Sequence, residues 1–514
     1  MKVNLAVDLD IHKFSGSGIT EYESGLRNCT IHMESGKPKI TQRASIDLTE
    51  DASEIGGLLN RGRGIYYWEQ NAELYIVNDD SIYETTQDSV AVGTISSGTQ
   101  RLTILETLGG SPYLVFLDAE NNEGWYMATS TTVTQIASNF PSTICHGGAI
   151  LDTYTFVMDE DGLIYNSDAN DPTTWNATSF LTTERENDKG VYLGKHHDHI
   201  VAFGTRTIEF FYDARNTSGT VLNRRQDVSY NIGCASGTAV WENGDTIYFI
   251  GSNRPGQLQI YKLENFQIIP ISKDTLNSYI TQGLTQEGLD IVFEGLSSLG
   301  NDTLLMTVYA LTGASPGEIL PKITLSYDSF TQLWGFWCTQ IDGLSCFPLM
   351  SFTKRTGGQN ATVSARTGEG IMYNGDIINI NDNLVPVDTV AGSDGVYVAG
   401  VYEVDVYVSS TASTGTNIQV IIRTGMQDFG TRQYKFQNSE TIIAEETESA
   451  QTLTIKHADE KNSNFDSGET IDLTDERKEL HQGGRFTKRN YELEYSGNEQ
   501  IYIDEFDVDV QAGF

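Results

Sequence analysis

Apolar and polar positions fall in short runs along residues 65–378. The runs are rich in Tyr, Phe, Val, Ile and Thr, and turns of Gly, Asn and Asp separate them. These residue types favour strands and hairpins. Helical periodicity is clearest in KDTLNSYITQGL, where Leu276, Tyr279, Ile280 and Leu284 share a face. The pattern predicts an all-β fold with one short helix.

A unit of two β-forming runs joined by a turn recurs in this region. Its copies are IYYWEQNAELYIV from Ile65, YLVFLDAENNEGWYMA from Tyr113, YTFVMDEDGLIYNS from Tyr154, HIVAFGTRTIEFFY from His199, TIYFIGSNRPGQLQIYKL from Thr246, TLLMTVYALTGASPGEILPKITLSY from Thr303 and a shorter ATVSARTGEGIMYNG from Ala361. Successive copies start about 41 to 58 residues apart, the period of a four-stranded propeller blade. We expect a β-propeller of about six blades, with the Ala361 copy as a candidate seventh. A string of sandwich hairpins with the same period is the alternative.

The texture of the chain changes at about Gly392. The segments VYVAGVYEVDVYVSS and YELEYSGNEQIYIDEFDVDVQ alternate strictly between apolar and polar residues. Such alternation gives a strand one buried and one solvated face, as in a small antiparallel sandwich. We therefore predict an N-terminal arm or closing segment at 1–60, a propeller at 61–391 and a C-terminal β-sandwich-like platform domain at 392–514.

The charge balance is strongly acidic. The 514 residues include 70 acidic and 33 basic side chains, for a formal net charge of −37. An acidic surface repels a phosphate backbone, which disfavours sequence-specific DNA binding. It is compatible with DNA passing without sticking, and equally with plain solubility.

Cysteine usage and hydropathy indicate a protein that folds in a reducing cytoplasm. The cysteines are odd in number and form no C-x-x-C pair, so neither a disulfide framework nor a zinc site is expected; they are Cys29, Cys145, Cys234, Cys338 and Cys346. Asp8 and Asp10 interrupt the first apolar stretch, which is too short and too charged for a secretory signal. No apolar run approaches the roughly 18 residues of a membrane span.

The sequence His196-His197-Asp198-His199 is the cluster that most resembles a set of metal ligands. Adjacent side chains on a strand point to opposite faces, so only His197 and His199 could bind one ion together. Because the cluster precedes the apolar run IVAFG, we favour a structural role at the end of a loop and the start of a strand.

Two acidic turns invite functional interpretations. Asp159-Glu160-Asp161-Gly162 resembles half of a calcium loop but lacks the bidentate Glu, since Asp168 stands six residues after the glycine. The stretch NSDANDPTTW, ending at Trp175, is similar to the Ser-x-Asp-x-Gly-x-x-Trp turn of sialidase propellers and departs from it at 170–172. That turn is structural in sialidases, and neither an arginine cluster nor a Tyr/Glu nucleophile pair can be assembled here. We favour hairpin turns at both places.

The most basic stretch of the chain is GGRFTKRNYELEY, with Arg485, Lys488 and Arg489. These cations could hold phosphate or a carboxylate-rich neighbouring subunit, or could form a solvated strand edge that discourages aggregation. The sequence contains neither a phosphate-binding G-x-x-x-x-G-K-[ST] loop nor a G-x-S-x-G elbow. We assign no catalytic, cofactor-binding or metal residues and expect a protein that is not an enzyme.

Several stretches resemble the packaged-DNA stabilisation or tail hub proteins of short-tailed, podovirus-type bacteriophages. They are HIVAFGTRTIEFFYDARN, YNIGCASGTAVWENGDTIYFIG, GRGIYYWEQNAELYIVNDDSIYE and GRFTKRNYELEYSGNEQIYIDEFDVDV. Together they span most of the chain. They share strand and turn patterns with that family rather than a catalytic signature.

The resemblance implies a structural virion protein in the phage tail, assembled in the host cytoplasm. Such a subunit would form a homo-hexameric ring, or nozzle, below the portal and its adaptor protein. The ring would continue the DNA exit channel, retain the packaged genome without sequence specificity, and dock tail spikes or fibres and a central plug or needle. An acidic lumen would let DNA slide.

Two other functions remain open at this stage. A tail-associated glycan-binding or depolymerising protein would present a groove with aromatic platforms and two carboxylates about 5 to 9.5 Å apart. A propeller acting as an interaction scaffold would be a monomer that binds its partners through one face. The hub interpretation predicts a ring held by large interfaces.

Overall fold

The computed structural model describes residues 2–3, 25–34, 37–43, 45–50, 62–84, 91–109, 112–128, 132–183, 185–186, 188–252, 256–282, 284, 290–298, 301–311, 319–338, 351–354, 360–363, 371–372, 377–381, 387–390, 396–398, 404–406, 416–459 and 465–513. Within these ranges the chain is all-β with one named helix, α1 (Asp274–Gln282). No helix in the described ranges is long and apolar enough to cross a membrane.

The first part of the chain contains five N-terminal strands followed by two four-stranded sheets. The N-terminal strands are β1 (Lys2–Val3), β2 (Gly25–Arg27), β3 (Cys29–Glu34), β4 (Lys37–Gln42) and β5 (Ser45–Glu50). Sheet I contains β6 (Gly62–Trp68), β7 (Glu73–Asn78), β8 (Ser81–Glu84) and β9 (Ala91–Thr94). Sheet II contains β10 (Thr103–Glu106), β11 (Leu114–Asp118), β12 (Glu123–Met127) and β13 (Val133–Gln135).

The next three sheets follow along the chain. Strand β14 (His146–Gly147) precedes sheet III, which contains β15 (Ala149–Leu151), β16 (Tyr154–Met158), β17 (Leu163–Asp168) and β18 (Asp171–Thr182). Sheet IV joins β14 to β19 (Gly190–His196), β20 (His199–Gly204), β21 (Ile208–Asp213) and β22 (Leu222–Tyr230). Sheet V contains β23 (Gly233–Cys234), β24 (Val240–Asn243), β25 (Thr246–Ser252), β26 (Leu258–Glu264) and β27 (Gln267–Pro270).

The remaining strands complete larger sheets. Sheet VI contains β28 (Asp290–Ser298), β29 (Asn301–Leu311), β30 (Ile319–Asp328) and β31 (Trp334–Trp337). Then come β32 (Ser351–Lys354), β33 (Asn360–Val363), β34 (Ile371–Met372), β35 (Ile377–Asn381), β36 (Val387–Val390), β37 (Val396–Val398), β38 (Val404–Val406) and β39 (Thr416–Asn417). The C-terminal strands are β40 (Val420–Arg423), β41 (Lys435–Ala444), β42 (Thr452–Asp459), β43 (Glu469–Asp472), β44 (Glu479–Phe486), β45 (Arg489–Tyr495) and β46 (Ile503–Ala512).

Six of the predicted hairpins are confirmed as antiparallel pairs of neighbouring strands. They are β6 with β7, β11 with β12, β16 with β17, β20 with β21, β25 with β26, and β29 with β30. The copy from Ala361 behaves differently. Its first run, β33, pairs with β32 and β35, whereas β34 pairs with β37 in another sheet.

The middle strands divide their side chains between two neighbouring sheets. In β11, Leu114 and Phe116 pack among residues of sheet I, while Val115 and Leu117 pack among residues of sheet III. Strand β20 does the same between sheets III and V, and β25 between sheets IV and VI. A strand buried on both faces is apolar throughout, which explains the unbroken runs LVFL, IVAF and IYFI.

The stack of sheets returns to its start. Strands β32, β33, β35, β5, β36 and β39 form sheet VII, in which the N-terminal β5 pairs with β35. Strand β32 contacts β28 of sheet VI and β6 of sheet I. The backbone N–H groups of Ile65 and Tyr67 donate to Ser351 Oγ (3.4 Å) and Thr353 Oγ1 (3.2 Å). Sheets I to VII therefore contact one another in a closed series.

The N-terminal strands also join the C-terminal strands. A nine-stranded sheet runs in the order β28-β29-β30-β31-β2-β40-β45-β42-β43, and a second sheet contains β1, β3, β4, β46, β41 and β44. The second sheet packs on the C-terminal half of the nine-stranded sheet over one apolar cluster, which includes Ile31, Tyr491 and Phe506. The predicted boundaries at 60 and 391 stay a prediction.

A buried polar joint connects these parts. Asn28 has a left-handed φ of 54°, and its backbone N–H donates to Phe336 O at 2.7 Å. Its side-chain Oδ1 accepts from the Cys338 N–H at 2.8 Å and from Arg43 Nε at 3.2 Å. Arg43 is 1% exposed and also donates to Cys338 O. The joint fixes sheet VI, the N-terminal strands and the C-terminal strands in one arrangement.

The helix lies where the helical periodicity predicted it. Leu276 and Ile280 are buried among residues of sheets V and VI, and Tyr279 and Leu284 pack partly against the same cluster. The predicted helix face is confirmed for Leu276, Tyr279 and Ile280, whereas Leu284 follows the end of α1.

Candidate functional site

The centre of the closed series of sheets holds a polar cluster. Arg101 lies just before β10 of sheet II, and its Nη1 donates to Phe293 O (2.7 Å) and Glu294 Oε2 (2.8 Å) of sheet VI. Its Nη2 donates to Val240 O (3.0 Å) of sheet V. In the closed series, sheets III and IV lie between sheets II and V, and sheets I and VII lie between sheets II and VI. The guanidinium therefore spans the middle of the ring of sheets.

Two carboxylates face this cation or its neighbours. Glu294 is buried, and its pKa is raised by that burial, although the ion pair with Arg101 opposes the shift. Desolvation raises the pKa of Glu242 to about 7, and the hydroxyl of Tyr192 donates a hydrogen bond to it at 3.1 Å. Both groups are held by partners rather than aimed into open space.

His146, on β14, completes the cluster. Desolvation lowers its pKa to about 4, and the nearby positive charge of Arg101 adds to that shift. A Cβ on Gly237 of sheet V would lie 2.6 Å from the imidazole ring, so the ring needs a glycine opposite it. We call Arg101, His146, Tyr192, Glu242 and Glu294 the axial network.

The axial network is suited to holding sheets together rather than to chemistry. Its cation is matched by a carboxylate and backbone carbonyls, and its histidine is neutral near pH 7. Across the described residues, no group of three or more His, Cys, Asp or Glu side chains is arranged to hold a metal ion. Buried ion pairs with satisfied hydrogen bonds fix geometry more than they add stability.

The four residues His196 to His199 form a hairpin turn. His196 and His199 are paired across the end of β19 and β20, and His197 occupies a left-handed position with φ of 50°. Two-residue periodicity does not continue through such a turn, so His197 and His199 do not share a strand face as the sequence suggested. His197 Nδ1 instead lies 3.0 Å from Asp245 Oδ2.

His196 and His199 pack around Phe266. His196 is fully buried, and its Nε2 accepts a hydrogen bond from the Phe266 N–H at 3.0 Å. The rings of His196 and His199 lie 4.7 and 5.1 Å from that of Phe266, and Arg225 stacks on the same ring at 4.4 Å. Burial lowers the pKa of both histidines. The structure gives these histidines a packing role.

The two acidic turns are hairpin turns. Asp159 Oδ1 accepts hydrogen bonds from the N–H groups of Asp161 and Leu163, next to a left-handed Gly162. In the second turn, Asp171 accepts from Thr173, and the buried Trp175 donates its indole N–H to Pro172 O at 2.8 Å. Their carboxylates are used by the turns themselves.

The basic stretch separates into two kinds of side chain. Arg489 is 5% exposed and forms two hydrogen bonds with Asp459, at 2.7 and 3.0 Å. Arg485 and Lys488 are exposed, and the Arg485 guanidinium lies 3.6 Å from the centre of the Tyr434 ring. Two of the three predicted cations are thus available at the surface.

The cysteines that the structure describes lie in its interior. Cys29, Cys145, Cys234 and Cys338 are buried, and none of these four described cysteines forms a disulfide bond. Burial raises the pKa of Cys29 and Cys145, and that of Cys234 to about 12. Cys346 lies outside the described residues.

Sequence reasoning missed the axial network. Arg101 lies just before β10 and His146 begins β14, both ordinary positions at strand ends, and their partners are more than 90 residues away. Only the closed stacking of sheets brings them together, so no local spacing could have revealed them.

Comparison with protein families gives one match. The family described as Bacteriophage P22 Gp10, beta-propeller, matches residues 41–312, which is more than half of the chain. No curated protein matches the chain.

Solved structures give remote likenesses. The computationally designed Ika8 protein is 9% identical, covers 66% of this chain and 99% of its own, and has a TM-score of 0.36. The extracellular domain of the hybrid two component system BT4673 from B. thetaiotaomicron is 10% identical over 74% of this chain and 51% of its own (TM-score 0.39). Virginiamycin B lyase from Staphylococcus aureus is 8% identical over 63% and 96% (TM-score 0.37). TM-scores this low do not identify a fold.

Proposed function

Because the chain belongs to the phage-stabilisation family of Bacteriophage P22 Gp10 β-propeller proteins, we propose that it is a tail hub subunit. Membership of this family makes the chain a phage structural protein. In that role a ring of copies, six in number, lies below the portal and adaptor rings, retains the packaged DNA and forms its exit channel.

The propeller interpretation is supported by the packing of the middle strands. Alternate side chains of β11, β20 and β25 enter the clusters on either side, as expected for blades stacked around an axis. We propose that sheets I to VII are the blades and that β5 closes the wheel. The arm, propeller and platform domains then follow the boundaries at 60 and 391, with β2 to β4 of the arm shared with the platform.

The axial network is the observation that most constrains the DNA path. Arg101 bridges sheets II, V and VI across the centre of the subunit, so duplex DNA does not pass along the axis of one propeller. In the proposed hub, DNA passes between copies, through the opening of the ring. A stiff wheel with few free strand edges suits a part that bears the pressure of packaged DNA.

The proposed partners follow from this position. The subunit contacts the portal adaptor on one side, and tail spikes or fibres and a plug or needle on the other. DNA passes in transit without sequence specificity, which agrees with the net charge of −37.

The test is a phage particle assembled without this chain. We expect heads that package DNA and then lose it, with genome retention restored when the chain is supplied from a plasmid. Native mass measurement of the purified chain, alone and with portal and adaptor, should give a hexamer. Particles that retain DNA without the chain, or a chain that stays monomeric on the portal and adaptor, would contradict the proposal; cleavage of host polysaccharide would favour the glycan-directed alternative.

A further inference from the structure

An aromatic and cationic surface lies at one end of the C-terminal strands. Tyr434 is 51% and Phe436 47% exposed, and they stand where β41 begins. Arg485, on the neighbouring β44, is paired in register with Phe436 and stacks on Tyr434. Arg432 and Lys488 are exposed in the adjoining loops. We call these five residues the Tyr434 patch.

The first residues of β41 reverse the usual pattern, in which the charged side chain is exposed and the apolar side chain is buried. Lys435 is 1% exposed, while the phenylalanine beside it faces outward. The Lys435 ammonium donates to Thr431 O (2.6 Å), Gln433 O (3.1 Å) and Thr487 O (2.6 Å). Because neighbouring side chains on a strand point to opposite faces, a buried lysine in this register holds the phenylalanine at the surface.

The same lysine organises the surroundings of the patch. Its three carbonyl partners lie in the two loops that carry Arg432, Tyr434 and Lys488. Desolvation lowers the pKa of Lys435, which is the cost of placing it there. Preformed loops with aromatic and arginine side chains are typical of binding hot spots, since little conformational entropy remains to be lost on docking.

The cations of the patch have no carboxylate partner among the residues that the structure describes. Ion pairs there involve Arg489 with Asp459 and Arg423 with Glu492, and neither Arg485 nor Lys488 takes part in one. The rest of the chain is acidic, with 70 acidic against 33 basic residues. The patch is therefore complementary in charge to much of the surface of another copy.

We propose that the Tyr434 patch docks onto a carboxylate-rich surface of a second copy of this chain. The inference rests on the proposed ring and names one of its contacts. Contact between two different surfaces is the heterologous kind that closes a ring. DNA is the less favoured occupant, because two exposed aromatic rings and few cations on a chain of net charge −37 make a poor phosphate track.

The occupant can be identified by photo-crosslinking. Phe436 is replaced by benzoylphenylalanine in the full-length chain, and rings assembled alone or on the portal and adaptor are irradiated. We expect a covalent dimer of this chain, with the cross-linked peptide rich in Asp and Glu. The same analogue at Phe330, which is 64% exposed in a turn of sheet VI, is the control. Cross-links only to another protein or to DNA, or none from position 436 in assembled rings, would overturn the proposal.

Charge reversal supplies an independent measurement. R485E/K488E should weaken self-association about tenfold or more. In the wild type the two cations would face carboxylates of the other copy, whereas in the variant two carboxylates would repel them. The control variant K189E/R206E changes net charge equally at two exposed positions, one between β18 and β19 and one in the turn between β20 and β21, and should leave assembly unchanged. Equal thermal unfolding midpoints of both variants confirm folding.

The failure of this inference differs from failure of the hub role. Rings that form normally with R485E/K488E would reject the patch alone. A wild-type chain that forms no ring even on portal and adaptor would reject the proposed function, and the patch with it. Salt-dependent binding of duplex DNA by the wild type that R485E/K488E abolishes would assign the patch to DNA instead.

Discussion

Single side chains carry the long-range order of this molecule. Arg101 joins three sheets through one guanidinium, and Arg43 joins the N-terminal strands to Cys338. In each case the partner is an ion or a carbonyl that would otherwise be desolvated without compensation. Such groups contribute through the penalty of leaving their partners unpaired.

Arg101→Ala should lower the free energy of unfolding by about 3 kcal/mol, because it leaves the Glu294 carboxylate and two carbonyls without their donor. Urea unfolding at pH 7.5 measures the change. Arg206→Ala, at an exposed position, is the control and should change stability by less than about 0.5 kcal/mol. A similar small effect at Arg101 would mean that the axial network does not hold the sheets.

His146 should make the folded state sensitive to acid. The unfolded chain takes up a proton at this residue near pH 6.5, whereas the folded chain does so only at about pH 4. The contribution of His146 to the stability of the folded state is therefore complete above pH 6.5 and is lost as the pH falls from 6.5 to about 4, by about 3 kcal/mol. Unfolding titrations of His146→Gln should show a shallower pH dependence; His481→Gln, at an exposed residue, should match the wild type. An unchanged slope in His146→Gln would contradict this.

At the scale of elements, local pairing was predictable and distant pairing was not. Six hairpins follow from sequence because each strand pairs with the next across a turn of Gly, Asn or Asp. Strand β33 instead pairs with β32 and β35, and β35 takes β5 as its other neighbour, so the seventh copy could not be assigned from its own residues. Asn28 and Cys338, which meet in the polar joint, are 310 residues apart in the chain. The local sequence around either residue does not predict this contact.

The division of middle strands between two sheets makes their apolar residues costly to truncate. Phe116 is fully buried between sheets I and II, so Phe116→Ala should destabilise the chain by about 3 to 5 kcal/mol. Leu108→Ala removes a side chain that is 56% exposed and should have little effect. Guanidinium unfolding of both variants makes the comparison, and equal midpoints would argue against a shared core between these sheets.

At the scale of the whole molecule, the polar joint sets how the sheets of the ring and the C-terminal strands are held together. Arg43→Ala removes its donors to Cys338 O and Asn28 Oδ1. We expect the joint to open and the Cys338 thiol to react faster with an alkylating reagent, as measured on the peptide by mass spectrometry. Cys145, buried between sheets III and IV, should remain protected and is the internal control. Equal protection of Cys338 in the variant and the wild type would contradict the expectation.

The pairing of β5 with β35 has a consequence for synthesis. Strand β5 leaves the ribosome about 330 residues before its partner, which at roughly 5 to 20 residues per second is a delay of about 15 to 65 s. During that time the sheets between them are translated while the series of sheets stays open. The series of sheets therefore closes late, and a nascent chain can present the completed series to a partner only after most of its translation is complete.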